Sequence, residues 1–181
     1  MIHHATIDSP IGRLTLRTDG SALTGLDLDT SGGAIGADDR RRMHDLQAPP
    51  AGVLRLVIRQ LEEYFDGTRR VFDVPLAARG TEFQQRVWRA LAGIPYGATV
   101  SYGALARRLE NPGAARAVGR ANNRNPIAII VPCHRVIGAD GSLIGYGGGI
   151  ERKRWLLSHE ARQQLQRPSP VGKGRKTFNA L

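Results

Sequence analysis

The residues best equipped for chemistry sit in one short run, "IIVPCHRVIG", where the only cysteine, Cys133, lies between Pro132 and His134. A thiol attacks as its thiolate, and an unperturbed cysteine with a pKa near 8.5 is only about 3% ionised at pH 7. A reactive Cys133 therefore needs a base or a positive charge beside it, and His134 and Arg135 follow directly. Neighbours in an extended chain point to opposite sides, so contact between thiol and imidazole requires a turn after Pro132 or a bridging water. Adjacency leaves two readings open: an activated nucleophile, or a small buried hydrophobe with His134 bonded elsewhere.

A second group of residues points to a different surface. "YGALARRLENPGAARAVGRANN" holds two short helical patterns around "ENPG": Tyr102, Leu105, Ala106 and Leu109 in the first, Ala114, Ala117, Val118 and Ala121 in the second. This is the sequence form of a helix-turn-helix. At roughly 100° per residue, Arg116, Arg120 and Asn123 fall opposite the apolar face of the second helix, and Ala115 and Gly119 leave the backbone between them nearly bare. Such a face can press into a nucleic-acid groove; its bland alternative is a solvated helix rich in small residues.

The charge distribution agrees with an acidic partner. The net charge is +10, yet residues 1–80 carry 10 Lys/Arg against 11 Asp/Glu, residues 81–160 carry 11 against 5, and residues 161–181 carry 5 against none. The excess lies entirely in the half that holds the helical pair and the cysteine, which is the expected footprint of nucleic-acid binding.

The elements that must position these residues follow from pattern. Ile11, Leu14, Leu16, Leu23, Leu26 and Leu28 alternate between Ser-Pro and Asp-Gly turn signals, which predicts a small antiparallel meander. Thr30 to Pro50 reads as a loop. "VLRLVIRQLEEYF" places Leu54, Val57, Ile58, Leu61 and Phe65 on one helical stripe, stopped by Asp66-Gly67. After a connector near Pro75 to Gly80, Thr81 can cap a helix that turns Phe83, Val87, Trp88 and Leu91 inward. The run Ile127–Val131 predicts a buried strand or extended segment leading to Cys133. "ERKRWLLSHE" predicts a last helix ending near Glu160, and residues 161–181 a flexible basic tail. The fold class is α/β (α+β): a small sheet-plus-helix N-terminal domain at 1–78, then a mainly helical C-terminal domain with the helix-turn-helix at 79–160.

Composition excludes several alternatives. One cysteine forms no internal disulfide, and His3 and His4 without partner cysteines make no zinc pattern. The aliphatic run is too short to span a bilayer, and the N-terminus lacks the charged and apolar regions of a signal peptide. A reduced, cytoplasmic protein with no membrane association is expected.

The runs "RGTEFQQRVWRAL", "IPYGATVSYGALA", "GAARAVGRANNRNP", "IIVPCHRVIGADG" and "YGGGIERKRWLLSHE", in order from Arg79 to Glu160, together resemble the O6-alkylguanine-DNA alkyltransferases. The resemblance implies a DNA repair protein that moves the alkyl group of O6-alkylguanine in duplex DNA onto its own cysteine, once, because the thioether formed is not hydrolysed. Cys133 matches the acceptor, His134 the base that deprotonates it through a water, Glu160 the carboxylate that orients and charges the histidine, and Asn125 the amide that brases the segment around the thiol. Tyr102 and the backbone near Gly147 match the groups that bond the base edge, in a pocket with Val136, Tyr146 and Gly148. Arg116 matches the residue that fills the vacated stack when the nucleotide is flipped out. The helix bearing Ala115, Gly119, Arg120, Asn122 and Asn123 matches the one in the minor groove. No cofactor or metal is implied. A monomer in solution is expected, with cooperative assembly on DNA left open. Two positions depart from the family pattern. Gly147 stands where a serine is common, implying room for alkyl groups larger than methyl, and Asn122 stands where some members carry a bulky apolar residue.

Three other classes compete. A noncatalytic lesion-binding relative would have its cysteine replaced, whereas Cys133 is present. A cysteine hydrolase leaves the basic helical pair without a purpose. A transcription regulator would need a defined operator sequence and dimerisation.

Overall fold

The alternating leucines form a three-stranded antiparallel sheet in the computed structural model, which describes residues 2–29 and 52–165. Strands β1 (His3–Ile7), β2 (Leu14–Thr18) and β3 (Leu23–Leu28) lie in that order, with Ala5 opposite Leu16 and Leu16 opposite Leu26. Period-two alternation seals Ile7, Leu14, Leu16, Leu23 and Leu26 from solvent. Helix α1 (Val53–Phe65) packs on the sheet with Leu54, Val57, Ile58, Leu61 and Tyr64 buried. Phe65, expected on the buried stripe, is only half-buried. Tyr64 takes the sealed position because the last helix covers it, which helical spacing alone does not reveal.

Helix α2 (Glu82–Ala92) starts at Thr81 with a reciprocal capping box. Gln84 N–H donates to Thr81 Oγ1 (3.3 Å) and Thr81 N–H to Gln84 Oε1 (2.9 Å). Val87, Trp88 and Leu91 face inward, and Trp88 Nε1 donates to Ala121 O at 2.9 Å. That bond fastens α2 to the second helix of the expected pair. The pair itself is present: α3 (Tyr102–Arg108) and α4 (Ala115–Asn123) flank a single 3-10 turn at Pro112–Ala114. A two-residue parallel ladder joins β4 (Val100–Ser101), just before α3, to β5 (Val136–Ile137), just after the cysteine. The helical pair and the thiol are thereby held in one frame.

Two expectations are corrected. Ile127–Val131 is buried but is not a strand. Only Ile127 bridges to a strand, at Leu26, and the chain then turns through Ile129, whose φ is 70°. Asn125 explains the departure, since its side chain bonds the backbone of Ile127 and Val131 and gathers the segment into a loop. The last helix, α5 (Ile150–Leu165), does not stop near Glu160 but continues into the segment read as tail. Gln164 Nε2 there donates to Tyr96 O (2.7 Å), and Arg70 Nη2 donates to Gln163 O (2.7 Å). The remaining tail residues, 166–181, and the loop at 30–50 lie outside the described residues.

The outer edge of β3 pairs with the connector that ends the first half and with the loop of the second half that leads to Cys133. Leu23 N–H donates to Pro75 O (2.8 Å), Leu26 N–H to Pro126 O (2.8 Å), and Ala128 N–H to Leu26 O (3.1 Å). An edge that would otherwise expose unpaired backbone groups is thus covered by the connector and by the loop leading to Cys133. Buried Arg152 of α5 bonds the carbonyls of Ile11 (2.6 Å), Asp29 (2.8 Å) and Gly148 (3.2 Å), tying the last helix to the first sheet. The buried apolar residues run through both halves as one cluster.

Candidate active site

Pro132 ends the loop and a 3-10 turn, Cys133–Arg135, begins, so the thiol and the ring are not on opposite sides of an extended chain. Both are buried. Asn125 Nδ2 donates to Val131 O at 2.7 Å and Asn125 Oδ1 accepts from Ile127 N–H at 3.1 Å, holding the approach to Cys133 from beneath. Burial pushes the Cys133 thiol up; the Asn125 amide, nearby backbone N–H groups and the Lys153 ammonium pull the other way without reversing it.

His134 Nε2 lies 2.8 Å from Glu160 Oε1, and both side chains are sealed from solvent. Burial favours a protonated carboxyl, but the bonds and charges of His134 and Arg135 outweigh it and hold Glu160 well below the usual carboxylate range. An ionised carboxylate only accepts, so Nε2 carries the hydrogen and Nδ1 is left as the basic atom. Nδ1 is buried and has no hydrogen-bond partner among the described residues. Burial also pushes the imidazole below its ordinary pKa, against the pull of Glu160. A neutral imidazole of fixed tautomer with an unengaged basic nitrogen, one residue from a thiol, is an arrangement for taking a thiol proton.

Glu160 is anchored well beyond its histidine. Arg135 Nε reaches Oε2 (2.9 Å) and its Nη2 reaches Oε1 (2.9 Å), a bidentate pair; Gly97 N–H donates to Oε2 (2.8 Å) and the Tyr64 hydroxyl to Oε1 (2.8 Å). Arg135 also donates to Ile94 O (2.6 Å).

A cavity of about 210 Å³ opens beside Cys133, lined on one side by Asn122, Asn123, Asn125 and Ala128, on another by Tyr146, Gly147 and Gly148, and closed by Leu26, Asp27 and Leu28 of β3. Of the residues expected to form the base pocket, Tyr146, Gly147 and Gly148 line it, but Tyr102 and Val136 do not. Tyr102 instead donates its hydroxyl to the loop carbonyls of Ile144 (3.1 Å) and Gly145 (3.2 Å). Gly145, at φ 63°, is required there, because a Cβ would stand 2.7 Å from that hydroxyl. Burial, and then the nearby Cys133, push the Tyr102 phenol up to about 12, so it remains a donor. Val136 is sealed and its carbonyl accepts from Lys153 Nζ at 2.5 Å. At Gly147 a Cβ would stand 3.2 Å from Asn123 Oδ1, the end of an exposed side chain, and 3.5 Å from the Asn123 carbonyl, an ordinary contact.

On α4, Arg116, Arg120 and Asn123 are exposed and Ala115 and Gly119 half-buried, as the helical spacing requires. Asn122 corrects the expectation. It is 1% exposed, donates Nδ2 towards Gly145 O (3.5 Å) and lines the cavity, so it belongs to the pocket and not to the outer face. Its place four residues after buried Val118 puts it on the inner face of the helix.

Sequence reasoning missed two residues. Tyr64 carries the helical period of a core residue but no sign of its hydroxyl bond to Glu160. Lys153 is fully buried, with Nζ on the carbonyls of Val136 and Ile144 (2.5 Å each); burial pulls its pKa down to about 8 while Cys133 pushes it up. Among the described residues no group of three His, Cys, Asp or Glu could hold a metal ion, and no helix is long and apolar enough to cross a membrane.

Comparison with known proteins agrees along almost the whole chain. The family model for the 6-O-methylguanine DNA methyltransferase DNA binding domain matches residues 82–162, and that for the family's ribonuclease-like domain matches residues 2–78. A methylated-DNA–protein-cysteine methyltransferase of Mycobacterium bovis is 56% identical over 160 residues, covering 88% of this chain and 93% of that one. One of Methanosarcina acetivorans is 46% identical over 159 residues, covering 88% and 98%. Among solved structures, Mycobacterium tuberculosis OGT in complex with DNA matches at 53% identity and a TM-score of 0.76, over 89% of this chain and 94% of that one. With both family models matched in order, and a buried His134–Glu160 pair following directly on the cysteine the sequence singled out, this chain belongs to the 6-O-methylguanine DNA methyltransferase family.

Proposed function

We propose that the chain repairs duplex DNA by taking the alkyl group from O6-alkylguanine onto Cys133, irreversibly and once per molecule. The observation that carries this reading is the bond from Glu160 to His134, whose unengaged Nδ1 belongs to the residue directly after a buried thiol at the wall of a cavity. Cys133 passes its proton through one water to His134 Nδ1, and Glu160, kept ionised, balances the imidazolium that forms. The thiolate attacks the saturated carbon on O6. The S–C bond forms as the O6–C bond breaks, the electron pair leaves with the guanine oxygen, and the base takes up a proton to become guanine.

No tetrahedral oxyanion arises, so the negative charge to be stabilised lies on the departing base. The Tyr102 hydroxyl leaves the carbonyls of Ile144 and Gly145 to donate to the base edge, and the backbone N–H at Gly147 faces O6. Gly147 and Gly148 leave room beside the alkyl group. Asn122 contributes a polar wall to this pocket.

DNA meets α4. Arg116 fills the stack vacated by the flipped nucleotide, Arg120 and Asn123 face the backbone, and the small residues Ala115 and Gly119 permit close approach in a groove whose hydrogen-bond code is degenerate. Binding is accordingly insensitive to sequence. Residues 1–78 and 79–160 form the two domains of the chain, with 161–181 set apart as a basic tail, a division between the first two that the family-model matches at 2–78 and 82–162 support, and the protein works in the reduced cytoplasm, where the thiol survives.

Incubation with duplex DNA carrying O6-[methyl-labelled]guanine tests the reading. Label is expected on Cys133 and absent from a Cys133→Ser variant; label released as methanol, or bound elsewhere in wild type, refutes it.

A further inference from the structure

The reaction just described uses residues of the C-terminal half, yet the carboxylate at the end of its relay is also bonded from the other half. The Tyr64 hydroxyl, on α1 and 96 residues upstream, donates to Glu160 Oε1 at 2.8 Å, the same oxygen that accepts from His134 Nε2. Building on the proposed function, we infer that Tyr64 is a positioning residue for the transfer: by donating to Glu160 it sets how strongly that carboxylate draws a proton onto His134, and so sets the basicity of Nδ1.

The bond is built to persist. Tyr64 is sealed from solvent, its backbone carbonyl accepts from His159 Nε2 at 2.9 Å, and its ring packs on Phe65, Phe72, Tyr96 and His159 with centroids 5.3–5.9 Å apart. His159 is in turn stacked on Trp155 at 4.9 Å. Burial, then the charge of Glu160, hold the Tyr64 phenol well above its ordinary value, so it stays a neutral donor throughout the reaction.

Each hydrogen bond received by a carboxylate spreads its charge and weakens its pull on the others. Arg135 does this as a cation, from the same turn as His134, and would be left in place. The other groups turned to the cluster are Gly97 N–H, the Tyr96 phenol with Arg70 and Arg135 over its ring, His159 with Arg162 on α5, and Lys153, whose charge acts on His134. None of them repeats a neutral bond to Oε1. Tyr64→Phe therefore removes one donor without stranding the oxygen, which keeps His134 and Arg135. With less of its charge spread, Glu160 favours the imidazolium more, and His134 is protonated at higher pH in the resting protein.

The experiment is the single-turnover rate of alkyl transfer from O6-methylguanine duplex, at saturating DNA, between pH 5 and 8, with thermal melting of each variant. In Tyr64→Phe the acid limb is expected to move upward by roughly half to one pH unit. Installing 3-fluorotyrosine at position 64 keeps the shape but makes a more acidic, stronger donor, and should move the limb the other way; it decides the matter if the Phe variant does not fold. A purely structural Tyr64 would lower the melting temperature or the active fraction and leave the limb unmoved, and that result overturns the inference. Wild type that transfers nothing at any pH would instead overturn the function on which it rests.

Discussion

His134 Nδ1 is the atom on which the residue-scale chemistry turns. Because Glu160 fixes the other nitrogen as the donor, His134→Gln leaves Cys133 in place but without a proton acceptor, and single-turnover transfer should slow by about 10²–10⁴-fold. Rapid-quench kinetics on alkylated duplex would measure it; a loss under tenfold would remove His134 as the base. Glu160 makes a prediction about stability. Its folded pKa lies below the unfolded value, so its stabilisation is complete above the unfolded carboxylate range, near pH 4–5, and is lost as pH falls through the folded value. Glu160→Gln should cost about 3–5 kcal/mol at pH 7, since it leaves buried Arg135 without a counter-charge. It should also flatten the fall in stability below about pH 4, read from urea denaturation across pH. At this scale the sequence marked Cys133, His134, Asn125 and Glu160 through the family resemblance; the structure bonds His134 to Glu160 and Asn125 to the loop that leads to Cys133. Tyr64 and Lys153 were not legible, because a tyrosine at a core period and a lysine in a basic helix carry no mark of the distant carboxylate or carbonyls they meet.

The elements most legible were those with a local code: the meander with its alternating leucines, the Thr81 capping box, the two helices around "ENPG". The ones misread depend on partners remote in sequence. Ile127–Val131 has strand composition, but the Asn125 side chain and the edge of β3 bend it into a loop; α5 outruns Glu160 because Gln163 and Gln164 bond groups near Arg70 and Tyr96. Substitutions in α4 and at the cap of α2 test the elements in opposite ways. Arg116→Ala and Arg120→Ala change exposed side chains, so stability should stay within about 0.5 kcal/mol. Affinity for duplex should fall for every sequence alike, and for a side chain on a phosphate the slope of log K against log salt should drop by roughly 0.9. Fluorescence anisotropy at several salt concentrations reads both; unaltered binding would take α4 off the DNA. Thr81→Ala should cost about 1 kcal/mol, seen by thermal melting, with the transfer rate of the folded protein unchanged.

Taken whole, the described residues share one apolar cluster, charge is near balance in the first half and basic in the second, and the proposed reactive centre lies where the two meet. β3 pairs with the loop that delivers Cys133, Leu26 to Leu28 close the cavity, and Tyr64 reaches the relay. The charge asymmetry and the basic helical pair were visible in the sequence; the sharing of the site between halves was not, because it rests on backbone bonds that any residues could form and on a tyrosine whose partner lies 96 residues away. A stable thioether on a single buried cysteine predicts a protein that stops after one event. Intact-mass measurement after exposure to excess O6-methylguanine duplex tests this most directly. The account predicts a gain of one methyl group per chain, located at Cys133 by peptide mapping and absent in Cys133→Ser. Folded protein that consumes the lesion repeatedly, or gains no mass, would contradict it.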